Sequence, residues 1–156
     1  MSDARFEDGE EAPLRLMAQE AGDLGVMAAL VQDAVLPASD MTWSRRQHRF
    51  ALLLNRFRHE DRAAALREGR PFERVRSLLV FDNVLAVRAQ GISRDPDVVV
   101  SLLEIAFTPL EEGAGLVRLV FAGDGAVELS VDALEVVLTD VSRPYKAVSG
   151  KAPSHD

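Results

Sequence analysis

The chain has 156 residues, 47% hydrophobic and 28% charged, with a formal net charge of −7 and no cysteine. That length and balance suit one self-folding globular domain rather than a disordered chain, and the missing cysteine excludes disulfides, thiolate zinc sites, iron–sulfur clusters and cysteine nucleophiles. No apolar run approaches the roughly 18 residues of a membrane span, and the acidic start, "MSDARFEDGEEAPLRL", lacks the pattern of a secretion signal, so a cytoplasmic protein without a membrane partner is expected.

Residues 1–12 are acidic and aperiodic and read as a flexible N-terminus, residues 13–144 as a single α+β domain, and residues 145–156, "YKAVSGKAPSHD", as a flexible C-terminal tail. Within the domain, "PLRLMAQ" alternates Leu14, Leu16 and Ala18 against Arg15, Met17 and Gln19, the pattern of a short strand. The next segment places Leu24, Met27, Ala28, Val31 and Val35 at helical spacing. It predicts a helix over 23–34, with Asp23 as N-cap, Pro37 as the stop, and Gly25 either a cost or a point of close packing.

"MTWS" and "RFALLLNRF" read as paired strands joined by a turn at "RRQH". In the second, Phe50, Leu52 and Leu54 share a face opposite Arg49, Ala51, Leu53 and Asn55. Phe57 has the wrong parity for that face unless a bulge lies near Asn55. Residues 59–73 form a surface connection, either a brief helical turn around Arg62 to Leu66 ended by Gly69 and Pro71 or a long loop. "RVRSLLVFDNVLAVRAQGI" is either one long bulged strand or a hairpin turning at Asp82 and Asn83, and the hairpin is preferred. The remaining apolar runs, with turns at "EEGAG" and "AGDG", describe an antiparallel meander.

The expected core comprises Leu16, Met27, Val31, Phe50, Leu52, Leu54, Leu79, Phe81, Val87, Leu103, Ile105, Phe107, Leu119, Phe121, Leu129 and Val136. The fold class that follows is α+β, mainly antiparallel β, with about eight strands in a sandwich or partly open barrel and one packed N-terminal helix. Strands apolar on both faces, such as "VVVSLLEIAF", need a cover. Either the sheet closes on itself or a second subunit covers it, and a homodimer is preferred, with an edge strand within residues 99–139 at the interface and Arg118 and Glu128 at its rim.

Charge is segregated along the chain: twelve arginines against five acids between Arg45 and Arg94, and six basic against twenty acidic residues elsewhere. The candidate binding patch is therefore Trp43, Arg45, Arg46, Arg49, Arg56 and Arg58, a surface on which arginines hold phosphate and an aromatic stacks a base. Pairing of those arginines with acidic strands is the blander alternative, and the overall charge and the few aromatics speak against nucleic acid. His48 and His59 flank one strand and suit neither a shared metal nor a shared proton, while His155 lies in the tail. Asp95 and Asp97 begin like a calcium loop without its later ligands. Glu104, Glu128 and Glu135 do acid–base work only if folding brings them together. No catalytic residue, metal site or cofactor is assigned.

"LNRFRHE", "FDNVLAVRAQGI", "SLLEIAF" and "LVFAGDGAVELSVDALEVVLTDV" together resemble an alphaproteobacterial domain-of-unknown-function family of small single-domain proteins, over residues 13–145. The resemblance implies that 49–57 is a strand and brings no activity with it. The functional expectation is a non-enzymatic module that binds a protein or small molecule. The alternatives are a small enzyme acting on an anionic substrate through strand carboxylates and arginines, or a weak nucleic-acid binder using the Arg45–Arg76 region.

Overall fold

The computed structural model describes residues 13–93 and 95–147. Chain order runs β1 (Arg15–Ala18), α1 (Ala21–Leu30), β2 (Val35–Pro37), β3 (Met41–Ser44), β4 (Arg49–Phe57), α2 (Arg62–Glu68), β5 (Glu73–Phe81), β6 (Val84–Gln90), β7 (Val99–Pro109), β8 (Gly115–Phe121), β9 (Gly125–Val131), β10 (Val136–Asp140) and β11 (Tyr145–Lys146). All ladders are antiparallel. Their order is β1-β10-β5-β4-β2-β7-β8-β9-β6, with β3 added to β4 and β11 to β5.

The α+β, mainly antiparallel reading therefore holds, with eleven described strands instead of about eight and two short helices instead of one. The additions include β2 and β11, three and two residues long, too short to show a period. β11 also lies where the tail was expected to begin: Tyr145 and Lys146 pair with Arg74 and Glu73, and Ala147 is buried. The acidic residues 1–12 and the rest of the tail, with His155, lie outside the described residues.

The hairpin expected at Asp82 and Asn83 does not form. β5 pairs with β10 and β4, and β6 pairs with β9, so "RVRSLLVFDNVLAVRAQGI" is nearer to the long interrupted strand. Of the two residues only Asn83 has a positive φ, 60°, whereas the common two-residue type I′ hairpin turn needs it at both central positions. The chain instead steps from one half of the sheet to the other. A second passage, from β9 to β10, runs beside it in the opposite direction. The two are tied by Asp82 N–H to Glu135 O at 2.9 Å and Asp132 N–H to Asn83 O at 3.1 Å.

α1 begins two residues before its expected cap, Asp23, and ends four residues before its expected end at residue 34. Asp23 sits in the first turn, where its charge suits the positive end of the helix dipole. Asp33 leaves helical geometry at φ 68°, so Pro37 falls within β2. Leu24, Met27 and Val31 are buried as their spacing requires. Gly25 packs closely against nothing, since an added Cβ there would meet no atom within 4 Å. α2 ends as expected, on Gly69 in the left-handed region.

One apolar cluster joins both halves of the sheet and α1. Of the expected core, Leu16, Val87, Leu103 and Phe107 are only partly buried. A register shift between Leu102 and Glu104 turns Leu102 inward in place of Leu103, and another between Val84 and Ala86 buries Val84. A bulge reverses alternation without any mark in the apolar pattern. Phe121, 1% exposed, should lose about 3–5 kcal/mol on truncation to alanine, and half-buried Phe107 should lose clearly less; urea unfolding of both variants checks this ranking, and equal losses would contradict the burial.

Candidate functional site

β4 shows no bulge: its pairing with β5 is unbroken from Phe50–Phe81 to Phe57–Arg74. Strict alternation then turns Phe50, Leu52, Leu54 and Arg56 to the same inner face, and the Arg56 side chain is fully buried. Phe57 is buried separately, its ring against those of Phe72 and His59.

Both sides of the Arg56 guanidinium are filled. Nε donates to Asp140 Oδ1 at 3.1 Å and to Ser77 Oγ at 3.1 Å, Nη2 to Asp140 Oδ2 at 3.0 Å, and Nη1 and Nη2 to the two Glu60 oxygens at 2.9 Å each. Ser77 Oγ donates in turn to Asp140 Oδ1 at 2.7 Å. Beside this group Arg58 pairs with Glu73 and lies 3.6 Å from Asp61. Arg70 holds Asp61 by two bonds of 2.6 and 2.7 Å and bonds Glu68 at 2.8 Å. Three guanidinium groups thus meet five carboxylates, and no buried side-chain polar atom among the described residues lacks a partner. The cluster offers an incoming anion no uncommitted positive charge.

The expected basic patch is not assembled. Arg45 and Arg46 are exposed in the β3–β4 turn, Arg49 bonds Asp82 at 2.8 Å, and half-buried Trp43 packs on the core. Arg56 lies seven positions beyond Arg49, about 23 Å along an extended strand, and turns inward. His48, in the turn at φ 54°, and His59, whose Nε2 meets Gln32 O at 2.9 Å, stand at opposite ends of β4. The strand glutamates are dispersed: Glu104 is exposed on β7, Glu128 faces Arg88 at 3.9 Å, and Glu135 precedes β10. Asp95 accepts the Asp97 N–H at 2.9 Å, an Asx turn. Among the described residues no three His, Cys, Asp or Glu are grouped to hold a metal ion.

What sequence reasoning missed is an apolar cavity of about 320 Å³ between the β3–β4 hairpin and β6. Met41 and Phe50 form one wall, Val87 and Val127 the other, with Ile92 and Pro96 at the side. None of its lining residues is ionisable. The ladder places these walls together: β6 pairs with β9 and β3 with β4, while Val84 N–H donates to His48 O at 2.8 Å where the two edges meet.

The family model described as a protein of unknown function, DUF2948, matches residues 14–155. The chain belongs to that family. No curated protein and no solved structure matches it.

In this DUF2948 member the arginine cluster contributes to how stability responds to acid. Burial acts to raise the Glu60 pKa, and the hydrogen bonds and charges of Arg56 and Arg58 outweigh it, leaving the group below its ordinary value. Asp61 is lowered by its bonds from Arg70, against a smaller effect of burial. Both carboxylates are thus more acidic in the folded chain than in the unfolded one. Their contribution is present above the unfolded range, about 4, and is lost as pH falls through the depressed folded values. Urea midpoints measured from pH 7 to pH 3 should drop, and the drop should be shallower in Asp61→Asn. Asp140→Ala, which leaves buried Arg56 half-paired, should cost about 3–5 kcal/mol, and Arg56→Met with Asp140→Leu should cost less than that single change. The reverse order would make the pair a net source of stability.

Proposed function

We propose that the protein is a non-enzymatic binding module whose ligand is a neutral, largely apolar small molecule held between the β3–β4 hairpin and β6. The observation that carries this reading is the cavity itself: about 320 Å³, walled by Met41, Phe50, Val87 and Val127, with hydroxyls of Ser39 and Ser93 as its polar side-chain groups. Its size falls within the range of small-molecule sites, and apolar walls with a few polar groups are their usual composition. A charged ligand would be desolvated there without a counter-charge.

The competing enzyme reading relied on arginines and strand carboxylates, and it has less support. Arg56, Arg58 and Arg70 are committed to carboxylates, and Glu104, Glu128 and Glu135 do not line the cavity. Nucleic-acid binding has less still, with the arginines divided between the two ends of β4. We assign the protein to the cytoplasm, because a chain without cysteine needs no oxidising compartment.

Nile red, a neutral apolar dye, should bind saturably at one per chain, and Ala89→Trp, which adds bulk to the lining of the cavity, should abolish binding without changing the circular dichroism spectrum. Dye binding of equal affinity in that variant would place the apolar site elsewhere and sink the reading.

A further inference from the structure

We infer that the outer face of the β1-β10-β5-β4 sheet is an interface between two copies of this chain. Register alone sorts that sheet into alternate rows, because directly paired residues of antiparallel strands share a face. The inner rows, such as Leu52, Leu79 and Leu138, are buried in the core. Two successive outer rows are also apolar at their centre: Ala51, Val80, Val137 and Met17 in one, and Leu53 and Leu78 in the next, which continues through Thr139 to Arg15 at the β1 edge. A sheet face left to water normally alternates to polar residues, yet here Met17 is 48% exposed. Neither described helix covers the face, since α1 packs on β1 and β7 with Leu24 and Met27 in the core, and α2 packs on the turn at His59–Asp61.

Charge points to a second copy as the occupant. Arg76 lies at one end of the apolar rows, exposed, and Glu135 lies at the other, level with Asp82 and the Arg49 that bonds it, an end with one more acid than base. Neither Arg76 nor Glu135 has an ion-pair partner among the described residues. A two-fold axis lying in the face, across the strands at the level of Leu79, exchanges the two apolar rows. It also sets Arg76 of each copy above the Asp82 and Glu135 end of the other. The face is thereby complementary to itself, the requirement of an isologous contact, and the product is two sheets stacked face to face about 10 Å apart. Within residues 99–139 only β10, an inner strand between β1 and β5, contributes to this surface, which is not the edge-strand contact expected there.

Sedimentation of the whole chain from low to high micromolar concentration tests the inference. The wild type should show a species of twice 17.1 kDa. Val80→Glu, which puts an unpaired charge in the centre of the contact, should be a monomer with an unchanged circular dichroism spectrum. If Val80→Glu fails to fold, the surface change Arg76→Glu decides: it should weaken the dimer about tenfold, and adding Glu135→Arg should restore it. Three results would overturn the inference: a wild type that stays at 17.1 kDa throughout, a dimer that survives Val80→Glu, and a dimer lost in Leu85→Lys on the edge strand β6 but kept in Arg76→Glu.

Discussion

The structure depends on a pair of crossing strands. β5 leads into β6 and β9 leads into β10, and the two run side by side in opposite directions, so that β5 and β10 join one part of the sheet and β6 and β9 the other. Two backbone bonds, from Asp82 to Glu135 and from Asp132 to Asn83, hold the crossing. Without it β10 has no route to β5, and β1, paired only with β10, has no place in the sheet. Both faces of the shared core are assembled by that exchange, since Phe81 and Val136 come from one part, Val84 and Val131 from the other, and all four are buried.

Within that frame the most demanding residue is Arg56. An arginine at an inward strand position loses its hydration, and burial alone would lower its pKa; Glu60 and Asp140 reverse the effect and raise it. The arrangement spends both carboxylates on structure. The three arginines of the cluster are each committed to carboxylates, and the open cleft lies at the other end of β4, lined mainly by apolar side chains.

Alternation was the legible part. Leu52, Leu54, Leu79, Phe121 and Val136 lie inside because period-two patterning records which face of a strand is buried. The same rule, carried two positions past Leu54, points to Arg56 as an inward arginine; proposing a bulge to bury Phe57 hid that signal. Other features have no local mark. The shifts near Leu102 and Val84 invert parity silently. Asp140 is 84 positions from Arg56, and the partners of β5 and β6 follow from long-range pairing that no turn motif encodes. The cavity is of the same kind, since Met41 and Val87 become neighbours only through the crossing.

The separation of Arg56 from Asp140 has a consequence for synthesis on the ribosome. β4 and β5 emerge well before β10 and pair with each other, their inner face carrying Leu52, Leu79 and an arginine with Glu60 as its only carboxylate partner of the final two. The second carboxylate arrives with β10, after the whole β7-β8-β9 meander has been made. Until then β5 has β4, itself paired with β2 and β3, on one side only, and Arg56 lacks one of its two carboxylates. A chain that ends ahead of β10 lacks the strand that pairs with β5 over Ser77–Phe81, and an unpaired strand edge is a template for aggregation.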